Sequence, residues 1–202
     1  MVPVEPPPRS RPAAPPPRAR RASDQVLVRA AQDGDVDAFG ELVGRHQAAM
    51  FRLALRMLGS HADAQDVVQD AFVKAWRSLG RFRGQSAFST WMYRITTNGC
   101  LDAIAARRPT AELPEERTSG GDDVARTAER HERVALLLAA IGQLPGDQRA
   151  ALVLRDVQGL SYQEVADVLE IQLSTAKTRV HRARRRVVDL VVDLVGPEED
   201  AA

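Results

Sequence analysis

The sequence predicts an all-α protein of two small helical domains joined by a flexible linker, with a helix-turn-helix at the end of the second. Aromatic residues make up only 4% of the chain and hydrophobic residues 44%, which favours helices packed through Leu, Val and Ala. Apolar residues recur at three- and four-residue spacing through most of the chain, and a polar segment interrupts them once. A length of 202 residues leaves room for one ordinary domain or two small ones.

The two ends of the chain are predicted to be tails. Residues 1–22 hold eight of the twelve prolines and five arginines, a composition that cannot build a core and is typical of disordered chain. A solvated tail is the favoured interpretation, and loose contact with nucleic acid is the alternative. Residues 195–202 read as a short acidic tail.

Residues 23–108 predict a first domain of four helices. Ser23 or Asp24 can cap a short helix that stops near Gly34, and Asp35 can cap a long one that closes at Gly59. A third helix begins at Ser60 and runs through residue 79, where Gly80 ends it, and a fourth spans residues 87–107 after a cap at Ser86.

The third helix has one strongly polar side, which includes Asp66, Gln69 and Asp70. Simple solvation explains such a side, with added support from acidic groups near the positive end of the helix dipole. The functional alternative is a docking surface for a basic partner.

The loop after the third helix and the start of the fourth combine aromatic and basic residues. Phe88, Trp91, Met92 and Ile95 follow a helical spacing and are expected to lie mostly in the core. Together with Asn98 and the loop arginines, however, this chemistry would suit the capture of an unstacked base, because it offers stacking, phosphate neutralisation and an amide for a base edge.

Residues 109–127 are polar, lack an apolar period and predict the linker, and residues 128–194 form the second domain. Two helices, 128–141 and 147–157, lead to the helix-turn-helix. Ser161 and Glu164 form a capping box that starts its first helix, and Ser174 is the expected cap of its second. Glu170 stands where many such turns carry Gly, so the turn is expected to manage without an easy left-handed residue.

The second helix of this motif is basic. Small and apolar residues can face inward, namely Ala176, Val180, Ala183 and Val187. The cations left outside have no acidic residue among them, and they are Lys177, Arg179, Arg182, Arg184, Arg185 and Arg186. Such a helix fits the major groove of DNA. The alternative is an ordinary helical hairpin with a solvated basic face.

No catalytic, cofactor or metal constellation is expected. Cys100 is the sole cysteine, which excludes an intramolecular disulfide and a multi-cysteine zinc site. The four histidines lie far apart, no Gly-rich phosphate loop occurs, and the S-x-x-K match at residues 174–177 lacks its companion motifs. The chain is therefore predicted not to be an enzyme. It also lacks a membrane-length apolar run, which predicts a cytoplasmic protein without membrane insertion.

Two long stretches carry a resemblance to a known family. They read DAQDVVQDAFVKAWRSLGRFRGQSAFSTWMYRITTNGCLDAIAARR at residues 63–108 and LPGDQRAALVLRDVQGLSYQEVADVLEIQLSTAKTRVHRARRR at residues 144–186. In this order and spacing the chain resembles a two-domain bacterial RNA polymerase sigma factor of the extracytoplasmic-function (ECF) group. The resemblance implies that residues 23–108 are region 2 and residues 128–194 are region 4.

The resemblance also implies functions for these regions. Region 2 would dock on core RNA polymerase through Asp66, Gln69 and Asp70, and would capture and melt the minus-ten promoter element. The implied minus-ten residues are Phe82, Arg83, Ser86, Phe88, Trp91, Arg94 and Asn98. Region 4 would read the duplex minus-thirty-five element. Its implied base or nearby backbone contacts are Lys177, Thr178, His181 and Arg182, and its implied phosphate contacts are Ser174, Thr175 and Arg179, with Arg185 on the same helix.

The chain departs from the family pattern at residues 174–176, where Ser-Thr-Ala replaces the commoner Gly-Thr-Val, and His181 occupies a variable position. The resemblance further implies a signal- or stress-responsive factor that an anti-sigma factor holds inactive, and a linker that threads the polymerase. The alternative is a stand-alone helix-turn-helix regulator whose N-terminal helices dimerise or sense a signal. Such a regulator would not need the acidic helix followed by an Arg- and aromatic-bearing loop.

Overall fold

A computed structural model describes residues 22–106 and 124–195, and every regular element in these ranges is helical. The all-α prediction is therefore confirmed for the described part of the chain. The predicted N-terminal tail, the acidic tail beyond residue 195 and most of the predicted linker lie outside the described residues. The linker was predicted to extend to residue 127, but a helix has already begun at Val124, because Ala and Arg at the next two positions are good helix formers.

Residues 22–106, the N-terminal module, contain four α-helices with the bounds α1 Asp24–Gln32, α2 Val36–Leu58, α3 His61–Ser78 and α4 Phe88–Ala106. The predicted caps hold at α2, where the Asp35 side chain accepts a hydrogen bond from the Ala38 N–H and Gly59 closes the helix at φ 71°. Ser60 caps α3 by accepting from the Asp63 N–H at 3.3 Å. Local side-chain chemistry thus sets both ends of α2 and the start of α3.

The end of α3 differs from the prediction. The α-helix stops at Ser78, and Leu79–Arg81 form a short 3₁₀ turn, so Gly80 lies inside a turn and does not end the helix. Leu79 is only 2% exposed. The burial of Leu79 favours the tighter turn, since it draws the chain back onto the core directly after α3.

Residues 124–195, the C-terminal module, contain the other helices, which are α5 Val124–Gly142, α6 Gly146–Leu152, α7 Tyr162–Leu169 and α8 Leu173–Val195. The helix predicted at 147–157 is divided: after α6, Val153–Val157 form a π-helical turn. The side chain of Arg155 donates to the Leu160 carbonyl at 2.7 Å and so secures the chain as it leaves this turn.

Each module has a long central helix. In the N-terminal module α2 packs against α1, α3 and α4, and in the C-terminal module α8 packs against α5, α6 and α7. Leu42, Met50 and Leu53 on α2 are fully buried, as is Val180 on α8. Burial of each such side chain contributes about 1.5–3 kcal/mol to the free energy of unfolding. No helix in these described ranges is long and apolar enough to cross a membrane.

The two modules also pack directly against each other. Helix α4 contacts both α6 and α7, and the Tyr93 hydroxyl donates to the Gln158 side-chain oxygen at 3.3 Å. A Cβ atom at Gly146 would lie 3.1 Å from a methyl group of Leu101, which shows how closely α6 approaches α4. The two modules therefore share an interface, which the sequence did not predict.

A buried arginine crosses that interface. The Arg149 guanidinium donates to the Met57 carbonyl of α2 at 2.6 Å, to the Leu144 carbonyl at 3.0 Å and to the Gly142 carbonyl at the end of α5. These carbonyls lie at or just beyond helix C-termini, where the helix dipole places partial negative charge. One cation therefore serves two helix ends and joins the modules.

Replacing Arg149 with Met should lower the free energy of unfolding by about 3 kcal/mol, because several carbonyls would lose their donor inside the protein. Urea unfolding followed by circular dichroism measures this change. Arg186→Met, which removes an exposed arginine of α8, is the matched control and should change stability by less than about 0.5 kcal/mol. Equal effects of the two substitutions would contradict the role of Arg149.

Candidate nucleic-acid interface

The helix-turn-helix is built from α7, a short turn and α8. The Ser161 hydroxyl accepts from the Glu164 N–H at 3.2 Å, and the Glu164 carboxylate accepts from the Ser161 N–H at 2.7 Å. Hydrogen bonding of the Glu164 carboxylate by the Ser161 backbone N–H, and secondarily by the Ser161 side chain, holds the pKa of Glu164 below its ordinary value. The predicted capping box is confirmed, and it sets where α7 begins.

The turn takes the left-handed geometry without the glycine that usually provides it. Glu170 adopts the left-handed conformation, with φ 54° and ψ 43°, and is the one non-glycine residue with positive φ among the described residues. This geometry costs about 1–2 kcal/mol for a residue with a Cβ atom. The Arg94 guanidinium of α4 donates to the Glu170 carboxylate at 2.9 Å and to the Asp167 carbonyl at 2.9 Å. The N-terminal module therefore contacts the last turn of α7 and the first residue of the turn that follows it.

Helix α8 begins at Leu173, one residue before the predicted start, so Ser174 lies in its first turn and is not the cap. The carbonyl of Ser174 accepts from the Thr178 hydroxyl at 2.9 Å. Ala176, Val180, Ala183 and Val187 are buried, as their spacing predicted. The opposite side of α8 is consequently turned outward.

The outward side of α8 brings most of the predicted region 4 residues together. Lys177, Thr178, His181, Arg182 and Arg185 are exposed and line one shallow groove. Arg186, a cation that was not among the predicted contacts, lines the same groove. Ser174 is exposed and Thr175 half-buried at the start of the helix. Gln148 and Asp189 complete the lining, so the groove is rich in cations but not uniformly basic. It lies on the exposed side of the second helix, which a helix-turn-helix presents to the major groove.

Two arginines of α8 are engaged with other helices. Arg184 forms a fork on Asp156 with contacts of 2.9 and 2.5 Å, and Asp156 raises the pKa of Arg184 above its ordinary value. Arg179 is half-buried, with its Nε 3.3 Å from the Asp147 carboxylate. The sequence has no acidic residue among the cations of residues 177–186, but the tertiary structure pairs both of these arginines with acids of neighbouring elements.

The other predicted site lies between α3 and α4. The Phe82 and Trp91 rings face each other with centroids 4.8 Å apart, tilted by 32°. Phe88 meets the edge of Phe82 at 6.1 Å and is only 4% exposed. Phe88 is therefore part of the core, as its spacing predicted. The more exposed rings of Phe82 and Trp91 pack against it.

A polar network supports Phe88 in turn. The His46 ring lies 5.3 Å from the Phe88 ring, and its Nε2 is 2.7 Å from the Asp24 carboxylate, which also accepts from Arg45 at 2.8 Å. Burial of Asp24 opposes its ionisation, but the bonds to Arg45 and His46 outweigh burial and hold the pKa of Asp24 below its ordinary value. The ionised carboxylate therefore keeps α1 attached to α2 beneath the aromatic cluster.

An open pocket of about 300 Å³ lies beside the aromatic pair. It brings together three predicted residues, Phe82, Trp91 and Asn98. The pocket is also lined by Arg81, one of the loop arginines, and by Ile95, which was expected in the core. Sequence reasoning did not assign the other two lining residues, Lys74 and Ser78. Lys74 and Ser78 lie one helical turn apart at the end of α3, and this spacing is the sequence feature that could have indicated that both face the same site. Aromatic faces, two cations and an amide converge here.

The remaining predicted minus-ten residues do not line this pocket. Arg83 is exposed and Ser86 half-exposed in the loop before α4, and Arg94 is held by the α7–α8 turn, as described above. Their roles as DNA contacts stay predictions. Asp66, Gln69 and Asp70 are all exposed on one side of α3, opposite the buried Ala64 and Ala71.

The described residues contain no group of three or more His, Cys, Asp or Glu side chains that could hold a metal ion. Cys100 is buried, and burial raises the pKa of its thiol to about 12. A thiol with this pKa stays protonated and is a poor nucleophile. A helix-turn-helix with a basic second helix, together with a pocket lined by aromatic, cationic and amide side chains, defines a class: a nucleic-acid-binding protein.

Comparison with known proteins identifies the family within this class. The Sigma-70 region 2 family matches residues 42–110, and the Sigma-70, region 4 family matches residues 135–187. The RNA polymerase sigma-H factor of Pseudomonas aeruginosa is 39% identical over 176 residues, which cover 81% of this chain and 91% of that protein. The ECF RNA polymerase sigma-E factor of Escherichia coli K12 is 38% identical over 184 residues, covering 85% of this chain and 96% of that protein.

A solved structure agrees with these matches. CnrH, determined in complex with the cytosolic domain of CnrY, superposes with a TM-score of 0.66 and 31% sequence identity, covering 86% of this chain and 99% of that one. The chain belongs to the sigma-70 family and is a two-domain RNA polymerase sigma factor of the ECF group. It is a non-enzymatic initiation factor that binds core RNA polymerase and promoter DNA. The match over region 2 decides against a stand-alone helix-turn-helix regulator.

Proposed function

We propose that this sigma factor reads its promoter with two separate surfaces: the basic groove of α8 reads the duplex minus-thirty-five element, and the pocket between α3 and α4 captures a base of the melted minus-ten element. The pocket beside Phe82 and Trp91 is the observation that carries this proposal, because its aromatic, amide and cationic lining suits an unstacked nucleotide and has no evident use in a duplex reader. The proposal places the protein in the cytoplasm, with the polymerase.

The groove of α8 supports duplex reading. Lys177 and Arg182 lie one and a half turns apart on its exposed side, with His181 between them. Arg or Lys can pair with the acceptor edge of guanine in the major groove, and cations beside it neutralise phosphates. The bridges of Arg184 to Asp156 and of Arg179 to Asp147 hold the helix on its module, so that the groove side stays outward.

The pocket supports capture of a flipped base. Stacking of a base on an aromatic side chain contributes about 1–3 kcal/mol, which is comparable with the cost of unstacking it from DNA. Asn98 can donate to and accept from a base edge, and Lys74 and Arg81 line the same pocket and supply cations for an adjoining phosphate. Strand separation would then result from trapping the base once it leaves the stack.

In this structure the two modules pack against each other, which is called the closed arrangement here. In this arrangement the protein cannot contact both promoter elements at once. About 25 base pairs separate them, or about 85 Å of duplex. A compact protein of 202 residues has a diameter of only about 40 Å. The modules would separate on polymerase and release Arg94 from the α7–α8 turn, which would free it for the minus-ten contact that the resemblance implies.

A regulatory partner would act on the same equilibrium. The structural neighbour CnrH was solved with the cytosolic domain of CnrY, so a protein of this fold does bind another protein. We infer an anti-sigma factor that stabilises the closed arrangement, and a stress or other signal that releases it. The sigma-E and sigma-H relatives are consistent with such a signal.

Transcription by purified core RNA polymerase on a library of genomic fragments, with and without this protein, tests the proposal. Discrete start sites that depend on the protein should appear, each with a shared element near minus ten and another near minus thirty-five. Start sites that share only one of these elements would refute the two-surface proposal.

Arg182→Ala should weaken binding of the protein to duplex minus-thirty-five DNA by about 1–3 kcal/mol if this side chain reads a base. Fluorescence anisotropy with the mapped element measures the affinity. Arg29→Ala removes an exposed arginine of α1 and should leave it unchanged. Wild-type affinity of Arg182→Ala would remove this residue from the site.

Asp66→Arg combined with Asp70→Arg should abolish binding to core polymerase, because two exposed acids on the proposed docking side of α3 become cations. Duplex binding by region 4 should persist. Asp102→Arg with Asp193→Arg makes the same charge change at exposed sites elsewhere. Gel filtration with core enzyme gives the answer, and co-elution of the first variant would refute the docking surface.

Asn98→Ala should weaken binding of the polymerase holoenzyme to the single-stranded minus-ten element by about tenfold, since the base edge loses its amide partner. Affinity for the minus-thirty-five duplex should not change. Gln47→Ala, at an exposed amide of α2, is the control. A loss that affects both elements equally would mean that Asn98 acts on the fold and not on the base.

A further inference from the structure

Gln32, the last residue of α1, reaches across to the turn that follows α3. Its side-chain amide nitrogen donates to the Leu79 carbonyl at 2.9 Å and to the Phe82 carbonyl at 2.8 Å. The two carbonyls stand at the two sides of the 3₁₀ turn Leu79–Arg81. Both amide hydrogens of Gln32 are thus used to clamp a segment that lies far from it in the sequence.

The clamped segment carries one wall of the pocket. Leu79 is buried and anchors the start of the turn, whereas Phe82 is only partly buried and faces Trp91 across the pocket edge. Beyond Phe82 the chain enters an irregular loop with Gly84 at φ 69°, so no helix holds Phe82 from that side. The Phe82 N–H donates to the Leu79 carbonyl at 3.0 Å, and the Phe82 carbonyl accepts from Gln32, so these two hydrogen bonds hold the Phe82 backbone.

We propose that Gln32 is a positioning residue for base capture: it holds the Phe82 backbone so that the pocket is preformed before DNA arrives. This inference rests on the proposed role of the pocket. Gln32 acts through Phe82 and need not touch the DNA. A preformed wall raises affinity because binding then spends less free energy on ordering the loop.

The chemistry of the clamp dictates the test. Two carbonyl oxygens require two donor hydrogens, which a neutral amide supplies and an ionised carboxylate does not. Gln32→Glu therefore replaces two hydrogen bonds with repulsion at almost unchanged shape. Gln25, exposed on the same helix, allows the same charge change at a position without the clamp. Gln32→Met removes the donors without adding charge and carries the test if Gln32→Glu does not fold.

The experiment uses holoenzyme made from core polymerase and the full chain. Fluorescence anisotropy measures its affinity for a fluorescein-labelled single strand of the mapped minus-ten element, and for the same strand with an abasic site at each position in turn. For the wild type, one abasic position should reduce affinity strongly, which identifies the captured base. This position then serves as the reference for every variant.

Gln32→Glu and Gln32→Met should each bind the intact strand about tenfold more weakly than wild type, but the strand lacking the captured base less than about twofold more weakly. Gln25→Glu and Gln25→Met should match wild type on both strands. A purely structural role would weaken binding to both strands alike.

The outcomes separate the two ideas. If no abasic position matters to the wild type, the pocket does not capture a base, and the proposed function and the inference both fail there. If the wild type depends on one base but the Gln32 variants bind like wild type, or lose the same factor on both strands, then only the role of Gln32 is overturned.

Discussion

The packing of α4 of the N-terminal module against the C-terminal module is the constraint on which most of the structure depends. One side of this helix is buried against α2 and α3, and the other meets α6 and α7. It carries pocket residues, such as Trp91 and Asn98, and interface residues, such as Tyr93 and Arg94. Because these share one rigid helix, the position of the C-terminal module and the shape of the pocket are not independent.

The bonds across this interface differ in strength. The Arg94–Glu170 pair is well exposed, with side chains 33% and 65% accessible, and such pairs contribute less than about 1 kcal/mol. The bond from Arg149 to the Met57 carbonyl is buried, but water could replace it once the modules part. Binding to polymerase could therefore offset the free energy that is lost when the modules separate. A wholly apolar interface would oppose this separation more strongly.

The left-handed Glu170 connects the turn of the helix-turn-helix to the N-terminal module. Its conformation is unfavourable on its own, and the contacts from Arg94 exist only while the modules are together. If the two modules separated, only the C-terminal module would hold the α7–α8 turn. The helix-turn-helix would then gain freedom to adjust to DNA at the same time as Arg94 is released.

The sequence by itself determined where most helices lie, the caps at Asp35, Ser60 and Ser161, and the buried sides of α2, α3 and α8, because these depend on interactions within about four residues along the chain. It also carried the two motifs that the family comparison confirmed. Only the tertiary structure decided which cations of α8 pair with Asp147 and Asp156, where Arg94 is held, and which residues complete the pocket. Gln32 and Phe82, or Arg94 and Glu170, are separated by long stretches of chain, and no local spacing encodes a contact that exists only after the helices have packed.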